Sequence, residues 1–69
     1  MQNLIKERLK DLRKENGLTQ KQIAKILNKS ETGYASWEQG LAEPSINDLI
    51  ILSNFYNVSI DELVGKEEL

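Results

Sequence analysis

The side chains with chemistry to offer in this chain are hydroxyls, carboxamides, carboxylates and cationic stems. Among its 69 residues there is no Cys and no His, which excludes thiolate zinc sites, cysteine nucleophiles and the commonest general base. The carboxylates stand at helix starts rather than as a pair that could divide acid and base roles, and no phosphate-cradling glycine loop occurs. An enzyme is not expected, and neither a cofactor nor a metal is implied. What remains is recognition by hydrogen bonding and charge. Thr32, Gly33 and Ser36, with Glu31 just ahead of them, fall on the opposite side of one short segment from Tyr34 and Trp37. Residues 1–40 hold Lys6, Arg8, Lys10, Arg13, Lys14, Lys21, Lys25 and Lys29 against five acidic side chains, a net +3, whereas residues 41–69 hold Lys66 against six acids, a net −5. A basic front and an acidic back fit a protein that offers one face to a polyanion. From charge alone, solvated helix faces are the more economical account.

The elements that must carry these groups are five short helices with no strand candidate. Ile5, Leu9 and Leu12 recur at helical spacing over residues 3–16, and Gly17 followed by Leu18 supplies the stop. Thr19-Gln20-Lys21-Gln22 is a capping box, so a second helix begins at Gln20, buries Ile23, Ala24, Ile26 and Leu27, and ends near Asn28. Ser30 caps a third helix over residues 31–39, closed by Gly40. Pro44 and Ser45, with Asp48 three residues on, open a fourth whose apolar face is Ile46, Leu49, Ile50 and Phe55, ending at Asn57. Ser59 and Glu62 cap a fifth that carries Ile60, Leu63 and Val64 and stops at Gly65. The expected architecture is all-α, a compact five-helix bundle occupying residues 1–69 as a single domain with its core in about residues 4–65. No apolar run reaches membrane-span length and the first residues lack a signal-type pattern, so a cytoplasmic location is expected.

Only Asn28, Lys29 and Ser30 separate helices two and three. A connection that short makes them cross steeply, as in a helix-turn-helix, with Ala24 allowing close approach and Asn28 accepting positive φ. Through Leu9, Leu12, Arg13, Gly17-Leu18-Thr19-Gln20, Ile23, Ala24, Leu27, Ser30, Trp37-Glu38, Gly40, Pro44-Ser45, Leu49, Asn57-Val58-Ser59, Asp61, Leu63 and Gly65, the sequence resembles the phage Cro and repressor type of helix-turn-helix DNA-binding domain, a lambda-repressor-like fold.

The resemblance implies a transcriptional regulator, more specifically a repressor, that binds double-stranded DNA as a homodimer on a near-palindromic operator, with helix three in the major groove. It implies base reading by Glu31, Thr32 and Ser36, and backbone contacts from Gln20, Lys21, Lys29, Ser30, Gly33 and Gln39. An Arg13–Glu38 ion pair joining helices one and three is expected both from the resemblance and from their positions on the inward stripes. Val58, Ile60, Val64 and Leu69 are the candidates for a dimer interface, with completion of the monomer core as their other role. Three departures stand out: Leu41-Ala42-Glu43 follows Gly40 where relatives often carry Lys or Arg, Gly33 lies inside the recognition helix at a cost of about 1 kcal/mol relative to Ala unless close backbone approach needs it, and Tyr34 replaces a smaller aliphatic residue. The alternative reading is a protein-interaction module, such as an antitoxin or accessory regulator, whose main partner is another protein.

Overall fold

A computed structural model describes residues 4–65, and all regular structure among them is helical: α1 (Ile5–Glu15), α2 (Gln20–Ile26), α3 (Glu31–Glu38), α4 (Ile46–Tyr56) and α5 (Ile60–Val64). Four of the five starts are written by a side-chain cap. Thr19, Ser30, Ser45 and Ser59 each accept a hydrogen bond from the backbone amide three residues on, and at Thr19, Ser45 and Ser59 the reciprocal bond completes a capping box.

The turn between α2 and α3 is fixed by Asn28, which sits at φ 59° in the left-handed region. Its amide donates to the Lys25 carbonyl and the Lys29 amide donates to the Ala24 carbonyl, so the last turn of α2 is closed as the chain reverses. α3 packs against α1 and α2, and α5 against α1 and α4. Leu9, Ile23, Tyr34, Leu52 and Leu63 are fully buried, joined by Ala24, Trp37, Leu49 and Tyr56. Tyr34 and Trp37 meet edge to face, ring centroids 5.6 Å apart.

Two expectations need correction. The inward face of α4 is Asp48, Leu49, Leu52 and Tyr56; of the residues expected there Leu49 is buried, but Ile46 is 70% exposed, Ile50 45% and Phe55 43%. At about 100° per residue, positions 48, 49, 52 and 56 share one arc, and the side chain of Asp48 is drawn in by its cap to Ser45. Ile26 is likewise exposed, because Ile23, Ala24 and Leu27 already fill the arc of α2 that faces α3. No helix among the described residues is long and apolar enough to cross a membrane.

Candidate nucleic-acid interface

The frame that holds α3 is a polar cluster built on Glu38. Arg13 Nε donates to Glu38 Oε2 at 2.7 Å and Nη2 to Oε1 at 3.1 Å, a bidentate pair between α1 and α3. The Tyr34 hydroxyl donates to Oε2 at 2.6 Å and Gln20 Nε2 to Oε1 at 3.1 Å, while Arg13 Nη1 reaches the Leu18 carbonyl. The ion pair is largely buried, its side chains 12% and 3% exposed. Burial alone works to raise the Glu38 carboxyl, but the donors from Arg13, Tyr34 and Gln20 outweigh it and hold the group below the usual carboxylate range. The hydrogen bond to Glu38 raises Arg13 further, while burial and Glu38 together push Tyr34 well above the usual phenol value. Tyr34, unexpected at this position, thus supplies a donor to Glu38 that an aliphatic residue lacks.

Pinned in this way, α3 turns Tyr34 and Trp37 inward and leaves Glu31, Thr32 and Gln39 exposed. Ser36 is half-buried and its hydroxyl donates to the Gly33 carbonyl at 2.6 Å, so toward a ligand it retains acceptor lone pairs rather than its proton. Ala35 shares the outward stripe with Thr32, Ser36 and Gln39; the spacing i, i+3, i+4, i+7 from Thr32 marks it, though it carries no polar group to draw notice. Gly33 leaves room for the Ser30 cap, since a Cβ there would lie 3.0 Å from Ser30 Oγ.

The candidate backbone residues fall into two groups. Lys21, Lys25 and Lys29 border one shallow depression with Asn28 and Glu31; Lys25 is an addition to the residues expected from the sequence, and the four-residue repeat of lysines in which it stands midway is the signal that marks it. Lys29 Nζ lies 3.7 Å from Asp48 Oδ1, serving as counter-charge to that buried carboxylate. Gln20 sits at the other end of α2, where its amide is held by Glu38 rather than free in solvent. Of the four dimer candidates, Val58 and Val64 are half-buried and pack on the chain's own core, Ile60 is 38% exposed, and Leu69 lies outside the described residues. Among the described residues no group of acidic, His or Cys side chains could hold a metal ion.

Five short helices among the described residues, four of them capped at the start by a side chain, a positive-φ turn between α2 and α3, and an outward-facing third helix pinned by a buried ion pair define a helix-turn-helix unit. The helix-turn-helix family model matches residues 9–63, and the chain belongs to that family, of the Cro and repressor type. It is similar to the HTH-type transcriptional activator BcrR of Enterococcus faecalis, 43% identical over 63 residues that cover 91% of this chain and 31% of the relative. It is also similar to the HTH-type transcriptional regulator ImmR of Bacillus subtilis, 41% identical over 63 residues, 91% of this chain and 50% of the relative. The crystal structure of a transcriptional regulator from Listeria innocua superposes with a TM-score of 0.94 at 39% identity, covering 100% of this chain and 64% of that one. The chain thus spans between about a third and a half of the length of these two relatives.

Proposed function

We propose that this chain is the sequence-specific, double-stranded DNA-binding unit of a transcriptional regulator, acting as a homodimer on a near-palindromic operator and repressing by occupying a promoter. The observation that carries the reading is the exposed face of α3, with Glu31 and Thr32 at its first turn, held against α2 by the Asn28 turn and against α1 by the Arg13–Glu38 pair. Such a helix enters the major groove by its N-terminal end, where a carboxylate accepts from cytosine and hydroxyls serve several bases. Glu31, Thr32 and Ser36 are the base readers in this reading, and Gln20, Lys21, Lys29, Ser30, Gly33 and Gln39 meet the backbone. The names of BcrR and ImmR, a transcriptional activator and a transcriptional regulator, support regulation of transcription. Two protomers must set their recognition helices about 34 Å apart to enter successive grooves. Ile60 is the most exposed of the described candidates for that contact.

Selection of bound sequences from random duplex DNA tests the proposal. The expected product is an inverted repeat bound with steep salt dependence; recovery of no consensus, together with no binding at low salt, refutes it. The protein-interaction reading draws on the outward apolar side chains of α4, Ile46, Ile50 and Phe55. Stoichiometric copurification with another protein, without DNA binding, is the outcome that favours it.

A further inference from the structure

The C-terminal end of α3 is electrostatically unfavourable for a phosphate strand. The helix carries no basic residue in its last turn, its terminal carbonyls concentrate negative partial charge, and the segment Leu41-Ala42-Glu43 adds a carboxylate and no cation. Yet two of the six proposed backbone residues stand at this end: Gln20 is bonded to Glu38, and Gln39 is the exposed C-cap. An α3 of 8 residues is about 12 Å long, comparable to the width of the major groove, so a helix seated there brings its far end to a phosphate wall.

A cation does reach this end, from another helix. Gly40 lies at φ +78°, and a Cβ built on it would stand 3.0 Å from Lys6 Cδ, 3.8 Å from Cε and 3.6 Å from Nζ. The Lys6 stem therefore crosses the bare backbone of Gly40, where glycine eases the positive φ and the absence of a Cβ lets the stem lie close. Lys6 and Gly40 border one depression with Ile5, Trp37, Ala42 and Glu43, and Lys6 is exposed, its ammonium making no ion pair among the described residues.

We propose that Lys6 is a phosphate-binding residue: lying across Gly40 from α1, it supplies at the end of α3 the positive charge that the following loop lacks. The inference rests on the DNA-binding reading above. Its test is fluorescence anisotropy with a selected operator duplex and a random-sequence duplex, across a salt series, for the wild-type chain, Lys6→Met and Lys6→Arg. Methionine retains a stem to cover Gly40 and removes the charge. The expected result for Lys6→Met is weaker binding to both duplexes by a similar factor, with the log–log salt slope shallower by about 0.9 per protomer, and recovery of that slope by Lys6→Arg. An unchanged slope in Lys6→Met, with or without a lowered melting temperature, leaves Lys6 as a stem packed on Gly40 and overturns the inference while wild-type binding stands. If the wild-type chain binds neither duplex at low salt, the DNA-binding reading falls and this inference with it.

Discussion

Replacing Glu38 with Gln tests the frame that orients α3. One carboxylate accepts four hydrogen bonds, from Arg13 Nε and Nη2, the Tyr34 hydroxyl and Gln20 Nε2, in a site where its side chain is 3% exposed. A carboxamide turns one oxygen into a donor. Whichever way it is placed, its NH₂ faces Arg13 Nη2 or Arg13 Nε, which can only donate, so one arm of the bidentate pair becomes donor against donor, and the Gln20 carboxamide or the Tyr34 hydroxyl beside it must turn to accept. The Arg13 charge is then left largely buried and uncompensated. Removing one member of a buried pair costs about 3–5 kcal/mol. A domain of this length has in total roughly 3–10 kcal/mol, so the variant is near the edge of folding. At about 4–8 °C per kcal/mol, the melting temperature should fall by more than about 12 °C. Thermal unfolding followed by far-ultraviolet dichroism measures the fall, and a shift under about 4 °C refutes the reasoning. A paired replacement, Arg13→Met with Glu38→Leu, should be less damaging than Glu38→Leu alone, because no buried charge is stranded; equal damage means that the two side chains are not coupled.

Protonation should expose the same cluster from the acid side. The donors on Glu38 hold its carboxyl below the ordinary range, so its contribution is complete above the unfolded carboxylate value near 4.3 and is lost as pH falls through the lower folded value. Acid titration of stability should show a loss that Glu38→Gln removes. At the other extreme, burial raises both tyrosines, Tyr56 to about 12, so stability should hold below about pH 10 and decline as pH rises from there toward and beyond 12, as read by alkaline denaturation. Asn28→Gly should be nearly neutral in urea unfolding, whereas Asn28→Ala should cost about 1–2 kcal/mol, since Ala resists the left-handed region without the local hydrogen bonding Asn offers. Glu31→Ala should bind random duplex more tightly while losing preference at one base pair of each half-site, scored on a panel of single-base operator variants; unchanged preference at every position returns Glu31 to favouring the start of α3.

The punctuation of this fold is legible in the sequence because it is local. Thr19, Ser30, Ser45 and Ser59 cap through bonds to the amide three residues on, and Asn28, Gly40, Asn57 and Gly65 stop helices by a conformation each can adopt alone. The inward arc of α4 is not local. Its apolar residues lie nearly all round the helix, so counting from Ile46 selects one arc as readily as another, and the choice is made by what α5 and the Ser45–Asp48 cap require. The site divides the same way. Glu31 and Thr32 follow from helical spacing, but the engagement of Lys29 with Asp48, of Gln20 with Glu38 and of Lys6 with Gly40 joins residues far apart in the chain. Periodicity within one helix carries no signal for such pairs.

The engagement of Gln20 bears on how the two proposed jobs of this domain, keeping its core and meeting a backbone, are coupled. A carboxamide has two N–H groups, and the bond to Glu38 Oε1 uses one of them. If Gln20 meets phosphate, it does so with the other, from a side chain whose rotamer is already set. Immobilising such a side chain on binding costs about 0.5–1.5 kcal/mol; here that ordering belongs to folding instead. The same carboxylate that neutralises Arg13 and takes the Tyr34 hydroxyl would therefore also fix the direction of the backbone contact proposed for Gln20. Fold stability and the proposed phosphate grip should then respond together to any change at Glu38, while the base preferences proposed for Glu31 and Thr32, a full helix length away on α3, should persist in whatever fraction of the protein remains folded.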